Sequence, residues 1–378
     1  MITILVAYVT AGAGHRRAAE ALAQALRDAA PEATVECVDV LTYAPRRFHA
    51  FYAQTYLFLV RHLPWVWKIS YRLLDHLWLY RLVQPLRRWW NLRIARRFVE
   101  FLQERAFDAV VVTHFLPADV CSAGKRAGWL TARLVVVVTD LYPHRFWLSP
   151  EADTVVGSTA ESAEVLRQRG VAEARIRVRG IPIGKSFTRA ASQAATGALR
   201  MDPQRLTVLV TSGGTTVGSF ERVVESLLAL ETPLPGRVQL LVVCGEDETT
   251  KQRLVERART HAMPMQVFGF VNTMAELMGA SDMIVSKAGG LTVSEALAMG
   301  RPLILYHVIP GQEQLNARYV ARHGAGCVAT QVADVAAAVR RCVEEPPYLQ
   351  AMTAAAQALG HPNAASAIAA DILQLVRG

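Results

Sequence analysis

The sequence has no run of 18 or more uncharged apolar residues, so no transmembrane helix is expected, although 52% of its 378 residues are hydrophobic. It also lacks the charged start and the cleavage site of a signal peptide, because Met1 leads directly into an apolar run of strand length. Its five cysteines are scattered, and no two form a Cys-x-x-Cys pair. We therefore expect neither disulfides nor a cysteine metal site, and a reducing cytosol fits this usage.

Acidic residues are nearly absent from one segment, residues 46–97. This basic aromatic segment holds eleven lysines and arginines and a single acid, Asp75, whereas the whole chain has a net charge of only +9. The rest of the chain is therefore close to neutral. Five of the seven tryptophans also lie in the segment: Trp65, Trp67, Trp78, Trp89 and Trp90.

Apolar residues recur in this segment at helical spacing, with arginines between them. Such a pattern is typical of helices that lie in a membrane interface and are attracted to anionic lipid. Ordinary core packing remains an alternative for the apolar side. Nucleic acid also attracts basic aromatic surfaces, but the sequence has no known nucleic-acid-recognition motif, so no nucleic-acid partner is predicted. The predicted membrane residues are Trp65, Trp67, Arg72, Trp78, Arg87, Arg88, Trp89 and Trp90.

Outside this segment, short apolar runs alternate with helical runs, and the series restarts once. Runs such as LVVVVTD are apolar on both faces, as expected of central parallel strands. Strands are predicted at 2–9, 34–40, 107–113, 133–139, 154–157 and 175–179, and then at 206–211, 238–243, 265–270, 282–286 and 302–307. Helices are predicted at 16–29, 118–127, 159–169, 219–230, 248–262, 273–279, 291–299 and 313–323.

Two successive series of this kind predict an α/β protein with two Rossmann-like, doubly wound domains. We place the first domain at 1–190, with the basic aromatic segment as a helical insertion, and the second at 203–360. The small, polar stretch 186–203 is the predicted break. Residues 361–378 are expected to form a helix that packs back on the first domain.

Ligands of open parallel sheets bind beyond the carboxyl ends of the strands, and polar, glycine-containing loops follow several of the predicted strands. The first is GAGH, residues 12–15. It lacks the third glycine of a dinucleotide fingerprint and the Lys-Ser/Thr of a P-loop. Both an anion site at the helix start and a plain strand-to-helix turn fit this loop.

The loop KAGGLT, residues 287–292, is the sharpest candidate for phosphate binding. Its glycines allow close backbone approach, Thr292 and free N–H groups can take phosphate oxygens, and Lys287 adds positive charge. Glu295 lies about one turn into the next helix, where a carboxylate could accept both ribose hydroxyls. The alternative is a capped helix with an exposed glutamate.

Taken in order, these stretches resemble the glycolipid glycosyltransferases, namely the monogalactosyldiacylglycerol synthases and the bacterial diacylglycerol glucosyltransferases. The resemblance is carried by TAGAGHRRAAEAL, VTD with His144 and Trp147, GIPIG, GFVNTMAELMGASDMIVSKAGGLTVSEALAMGRPLIL and IPGQEQLNA. It implies a GT-B fold, with the two domains facing a central cleft. It also implies inverting transfer from a UDP-sugar, with no cofactor and no metal, and the sequence has no Asp-x-Asp motif.

Carried over by position, the resemblance makes His15 the general base that takes a proton from the acceptor hydroxyl. Gly12 and Gly14 would let acceptor and leaving group approach the backbone. Asp140 either orients the acceptor or His15, or caps a turn. His144 and Trp147 are assigned with Asp140 to acceptor binding or orientation. The implied donor residues are Gly14, Gly213, Gly214, Phe270, Val271, Lys287, Gly289, Gly290, Thr292, Glu295, Gln312 and Glu313.

We therefore expect transfer of a hexose from UDP-glucose or UDP-galactose to diacylglycerol, by a peripheral enzyme on the cytoplasmic face of the cell membrane. Three alternatives stay open at this point. One is N-acetylglucosamine transfer from its UDP-sugar to a polyprenyl-linked cell-wall precursor, and another is UDP-sugar epimerisation. The third is a non-catalytic lipid-binding or regulatory module. The choice between glucose and galactose depends on the orientation of one hydroxyl, which the Gln312–Glu313 pair does not decide.

Overall fold

The computed structural model describes residues 2–10, 12–45, 48, 58–59, 62–188, 199, 201–212 and 220–378. The chain divides into two compact units. The first unit comprises Met1–Lys185, Pro310–Gln312 and Asn363–Gly378, and the second comprises Ser186–Ile309 and Glu313–Pro362.

Each unit contains one six-stranded sheet, and every strand pair is parallel. The strands of the first sheet are β1 (Thr3–Tyr8), β2 (Thr34–Asp39), β3 (Ala109–Val112), β4 (Arg133–Val137), β5 (Thr154–Gly157) and β6 (Ile176–Val178). Those of the second are β7 (Leu206–Thr211), β8 (Val238–Val243), β9 (Met265–Phe268), β10 (Met283–Ser286), β11 (Leu303–Tyr306) and β12 (Gly326–Ala329). The strand order is β2-β1-β3-β4-β5-β6 in the first sheet and β12-β11-β10-β7-β8-β9 in the second.

Helices connect the strands, as parallel pairing requires. In the first unit they are α1 (Ala13–Ala29), α2 (Pro64–Leu74), α3 (Leu77–Ile94), α4 (Arg96–Glu104), α5 (Phe115–Ala127) and α6 (Ala160–Gln168). The later helices are α7 (Phe220–Leu228), α8 (Glu248–Thr260), α9 (Met274–Gly279), α10 (Gly290–Ala298), α11 (Gln312–Arg322), α12 (Val332–Glu344), α13 (Pro346–Leu359) and α14 (Ala364–Arg377). No helix within the described residues is both long and apolar enough to cross a membrane.

The first sheet has a core on each face, because successive residues of a strand point to opposite sides. Leu5 and Ala7 of β1 belong to one apolar cluster, and Ile4 and Val6 belong to the other. The second of these clusters is closed by α1 together with α14, whose Ile368, Ala369, Ile372 and Leu373 are buried in it. The C-terminal helix is therefore part of the first unit.

The predicted strands all form, and two of the departures from the sequence prediction concern helix α1 and strand β12. Helix α1 begins at Ala13 rather than at residue 16, so Gly14 and His15 lie in its first turn and not in a loop. The short strand β12 was not predicted, because its four residues, GCVA, carry no clear periodic pattern. Most of the predicted break at 186–203, and residues 46–47 and 49–57, lie outside the described residues.

Candidate active site

The strand order of each sheet identifies the edge at which a ligand is expected to bind. In the first sheet the chain runs from β1 to β2 on one side and then crosses to β3 on the other, so the loops after β1 and β3 diverge. In the second sheet the same reversal lies between β7 and β10. Open parallel sheets bind ligands at such reversal points, beyond the carboxyl ends of the strands. His15 follows β1, and the loop Lys287–Gly289 follows β10.

His15 is held by hydrogen bonds to residues that follow two other strands. Its Nδ1 lies 2.8 Å from the carbonyl oxygen of Thr113 and 2.8 Å from Oγ1 of Thr139. The Thr113 hydroxyl in turn donates to the carbonyl oxygen of His15 at 3.1 Å. A carbonyl oxygen can only accept, so Nδ1 carries the ring proton. The other ring nitrogen, Nε2, is therefore the one with a lone pair.

Aromatic rings surround the imidazole of His15. The ring of His114 meets it edge-on at 4.7 Å between centroids, and Trp147 lies at 6.2 Å. This burial lowers the pKa of His15 to about 4, against the opposing effect of the Thr113 hydrogen bond. The pKa of His114 is likewise held well below its usual value by burial. His15 is consequently neutral at physiological pH and able to accept a proton.

Asp140 connects to this cluster through Trp147. The indole Nε1 of Trp147 donates to Oδ2 of Asp140 at 3.3 Å. Burial raises the pKa of Asp140 to about 6, although the Trp147 hydrogen bond favours the charged form. The Ser158 hydroxyl donates to the carbonyl oxygen of Asp140 at 2.8 Å and fixes its backbone.

His144 has both ring nitrogens engaged in the structure. Its Nδ1 accepts from the backbone N–H of Phe146 at 3.2 Å, and its Nε2 donates to the carbonyl oxygen of Tyr71 at 3.0 Å. Burial lowers the pKa of His144 to about 4, so the ring is neutral. These contacts make His144 the cap of a short 3-10 turn and a link to helix α2.

We correct the membrane assignment of Arg87 and Arg88, since neither guanidinium is exposed. Arg87 Nη2 donates to Oδ1 of Asp119 at 2.9 Å, and Arg88 Nε lies 3.8 Å from the same oxygen. Asn91 donates to Oδ2 at 2.8 Å. The Arg87 side chain is 11% exposed, and its guanidinium lies 4.0 Å from the ring centroid of Phe146. Both arginines are therefore buried in the first unit beside Asp119.

The other predicted membrane residues differ in exposure: Trp65, Arg72, Trp78, Trp89 and Trp90 are exposed, whereas Trp67 is partly buried. The buried face of helix α3 holds Arg88 and Asn91 together with Tyr80 and Ile94, whereas its exposed face is largely apolar, unlike the polar outer face of a typical surface helix. The large apolar side chains exposed on α2 and α3 form what we call the apolar face: Trp65, Ile69, Leu73, Leu77, Trp78, Leu82, Leu86, Trp89 and Trp90.

In the second unit, the loop after β10 leads into α10 through Gly289, which occupies the N-cap position without a side-chain cap. A Cβ built on Gly289 would meet no atom of the described residues within 4 Å, so none of them fills the space over this helix start. Asn316, fully buried in α11, donates through Nδ2 to the carbonyl oxygen of Ala288 at 3.0 Å and holds the loop in place. Lys287 is buried in the same loop, and burial together with the charge of Lys287 lowers the pKa of His307.

Glu295 is 3% exposed, which contradicts the alternative of a solvent-facing glutamate. Gly290 and Thr292 lie in the first turn of α10, and both are partly buried. Phe270 is 58% exposed, with Val271 partly buried beside it. Gln312 and Glu313 start α11, and Oε2 of Glu313 accepts from the backbone N–H of Ile309 at 3.0 Å. Gly213 and Gly214 lie outside the described residues.

Comparison with known proteins assigns the two halves of the chain. Residues 15–183 match the family model described as Monogalactosyldiacylglycerol (MGDG) synthase, and residues 207–368 match the Glycosyltransferase family 28 C-terminal domain. A relative from Bacillus thuringiensis (strain Al Hakam), a processive diacylglycerol beta-glucosyltransferase, is 28% identical over 297 residues. The matched region spans 75% of this chain and 72% of that protein.

Two solved structures share the fold over nearly the whole chain. MurG of Acinetobacter baumannii aligns with a TM-score of 0.63 at 15% identity, covering 99% of this chain and 100% of that one. The UDP-GlcNAc 2-epimerase of Neisseria meningitidis, bound to UDP-GlcNAc, gives 0.64 at 14% identity with the same coverage.

Two parallel six-stranded sheets with flanking helices, and a candidate site at the reversal point of each sheet, define a protein of the GT-B class. The two family models follow one another and together match most of the chain. The chain belongs to the glycolipid glycosyltransferases, the family of the monogalactosyldiacylglycerol synthases. The fold class and the family predicted from the sequence are both confirmed.

Proposed function

We propose that this enzyme transfers glucose or galactose from a UDP-sugar to diacylglycerol, with inversion at the anomeric carbon and without a metal ion. The reaction takes place on the cytoplasmic surface of the membrane, to which the protein binds peripherally. In a single displacement, the acceptor oxygen attacks the anomeric carbon as its proton leaves and UDP departs.

The observation that carries this proposal is the 2.8 Å contact between His15 Nδ1 and the Thr113 carbonyl oxygen. Thr113 holds the ring proton on Nδ1, so Nε2 has the lone pair that a general base needs. The lowered pKa keeps the ring neutral before the acceptor arrives. In the proposed reaction Nε2 takes the proton of the acceptor hydroxyl, and the charge that develops on the ring is met by the Thr113 carbonyl.

The second unit supplies the donor half of the proposal. Gly289 provides no side-chain cap for the N–H groups at the start of α10, and no described residue fills the space over it, which suits a diphosphate. Lys287 adds positive charge close by, which would stabilise the leaving UDP. We assign the ribose to Glu295, the uracil to Phe270 and Val271, and the sugar hydroxyls to Gln312 and Glu313.

The apolar face supports attachment to a membrane. Monomeric soluble proteins rarely expose large contiguous apolar patches, and such patches mark interaction surfaces. Tryptophan is favoured at the headgroup level of a bilayer, and exposed cations such as Arg72, Arg81 and Arg93 would attract anionic lipid. The processive diacylglycerol glucosyltransferase relatives make diacylglycerol the acceptor that we propose.

A transfer assay tests the proposal. The purified chain is incubated with diacylglycerol vesicles and labelled UDP-glucose, UDP-galactose or UDP-N-acetylglucosamine, in the presence of EDTA, and the lipid extract is examined. We expect label in a glycosyldiacylglycerol from one of the two hexose donors, with the opposite anomeric configuration to that of the donor by NMR. His15→Ala should lower turnover by a factor of 100 or more.

His323→Ala provides a matched control, because this histidine is exposed on the second unit. Label from UDP-N-acetylglucosamine alone would overturn the hexose assignment, and an epimerised nucleotide sugar without glycolipid would overturn transfer altogether. Full activity in His15→Ala would remove the proposed base.

A further inference from the structure

Asp75 is the only acid in the basic aromatic segment, and it lies at the joint between α2 and α3. It follows Leu74, the last residue of α2, where its backbone N–H bonds to the carbonyl oxygen of Arg72 at 3.2 Å. Its side chain is only 20% exposed, so it is largely buried. An acid there does not help attraction to an anionic surface, which calls for another role.

Asp75 contacts the loop that follows β4 through two hydrogen-bonding atoms, and it contacts Arg169 through a third. Its Oδ1 accepts from the backbone N–H of Arg145 at 2.9 Å, and its backbone carbonyl accepts from Arg145 Nε at 2.6 Å. Its Oδ2 accepts from Arg169 Nη2 at 2.6 Å. Arg169, with a side chain only 7% exposed, also donates to the carbonyl oxygen of Pro143 at 2.7 Å. One carboxylate thus fixes the loop and the arginine that braces it.

The same loop, residues 139–147, carries two of the groups that contact His15. At its start, Thr139 lies 2.8 Å from the His15 Nδ1, and at its end Trp147 lies against the imidazole. His144, in its middle, donates to the Tyr71 carbonyl oxygen on α2. This loop therefore contacts both the α2–α3 joint and the imidazole of His15.

We propose that Asp75 is a positioning residue, which ties the membrane-facing helices to the loop that orients His15. This inference rests on the proposed function, because it assumes that His15 is the base. Its consequence is that Asp75 serves turnover and not attachment. Neutralising it removes one negative charge and should leave attraction to anionic lipid intact or slightly stronger, while turnover falls.

The test compares Asp75→Asn with Glu100→Gln, a neutralisation of an exposed acid on α4 whose partner is Arg96. Binding is measured by co-sedimentation with vesicles of phosphatidylcholine and phosphatidylglycerol, and kcat and KM are measured on diacylglycerol in the same vesicles. We expect Asp75→Asn to lower kcat at least tenfold, with vesicle binding within twofold of wild type or tighter. Asp75→Glu should recover more of kcat than Asp75→Asn, and Glu100→Gln should change neither quantity.

Arg145→Ala is the second variant, to be used if thermal unfolding shows that Asp75→Asn is not folded. It removes one hydrogen bond to Asp75 and keeps the ion pair with Arg169. It should lower kcat in the same direction and by a smaller factor. The inference is overturned if the variants keep wild-type kcat, or if they lose vesicle binding while bound enzyme turns over normally. An inactive wild-type chain is a different result, because it contradicts the proposed function itself.

Discussion

The Nδ1 atom of His15 lies 2.8 Å from the carbonyl oxygen of Thr113, which is 98 residues further along the chain. The partner is a backbone atom, so no side-chain substitution at position 113 removes it directly. The adjacent parallel strands β1 and β3 bring the two residues together. Selection of the His15 tautomer is therefore a property of the sheet, and the Thr139 hydroxyl adds to it.

Thr139→Val tests that added contribution. The variant keeps the shape of the side chain and loses the hydroxyl that lies 2.8 Å from Nδ1. One hydrogen bond contributes about 0.5–1.5 kcal/mol, so kcat should fall by roughly two- to tenfold. A loss as large as that of His15→Ala would mean that Thr113 alone does not hold the ring. Steady-state kinetics on diacylglycerol vesicles measure both variants.

The lowered pKa of His15 predicts a pH-dependent stability. In the unfolded chain a histidine titrates near pH 6.5, whereas His15 titrates at about 4 in the native state. Between these values the unfolded chain binds the proton and the native chain does not, so stability rises with pH across this window. At pH 5 the effect is about 2 kcal/mol relative to pH 7.

His15→Gln should therefore reduce the difference in unfolding free energy between pH 7 and pH 5 by about 2 kcal/mol. Urea denaturation at the two pH values measures it. Burial raises the pKa of Asp140 to about 6, so Asp140 affects stability in the opposite sense. The test is therefore the difference between His15→Gln and wild type, and not the pH dependence of wild-type stability alone. An unchanged pH difference would show that the native imidazole titrates normally.

Asp119→Ala should strongly destabilise the first unit. The substitution leaves Arg87 and Arg88 without their buried carboxylate, and removal of one partner of a buried ion pair costs about 3–5 kcal/mol. Glu100→Ala is the control, because its ion pair with Arg96 is exposed and contributes less than about 1 kcal/mol. Denaturant unfolding compares the two. Equal effects would mean that the buried charges are satisfied in another way.

Gly289→Ala separates a ligand effect from a packing effect. The backbone at this position, with φ −63° and ψ 134°, accepts alanine, and the new Cβ would meet no atom within 4 Å in the part of the chain that the structure describes. Stability should stay within about 0.5 kcal/mol of wild type. If a diphosphate approaches the backbone there, the UDP affinity measured by calorimetry should fall at least tenfold. Unchanged UDP binding would move the phosphate site elsewhere.

Leu82→Ser tests the apolar face. Leu82 is 70% exposed, and burial of such a side chain in lipid contributes about 1.5–3 kcal/mol, so partitioning to vesicles should fall at least tenfold. Val328→Ser changes an exposed apolar residue of the second unit and should have no effect. Raising the salt concentration should weaken binding of both variants and of wild type, since it screens the cations. Wild-type partitioning of Leu82→Ser would exclude this face as the contact.

The fold could be predicted from the sequence because central parallel strands leave a strong local signal. Runs such as LVVVV are apolar throughout, and the burial of both faces of β4 explains why. Strand β12 has no such run: its partly exposed Val328 and Cys327 give only four residues of mixed burial, which local sequence does not distinguish from a loop.

The site could be predicted only in part. His15 stands out beside two glycines, but Thr113 and Thr139 contact it across 98 and 124 residues, and a hydrogen bond to a carbonyl oxygen leaves no motif. Arg87 and Arg88 were assigned to the membrane because counting charge treats every arginine as exposed. The helical spacing of α3 could have indicated that Arg88 is buried. Arg88 and Asn91 lie on the same helix face as the buried Tyr80. Trp78 and Leu82 lie on the opposite, exposed face.

Helix α14 covers one face of the first sheet together with α1, although residues 186–363 separate it from Lys185. During synthesis, the strands of the first sheet leave the ribosome long before the helix that covers them. The part of that sheet face that α1 does not cover stays exposed to water until residues 364–377 have been translated. A nascent chain that ends within the second unit therefore exposes apolar surface of the first unit that is prone to aggregation.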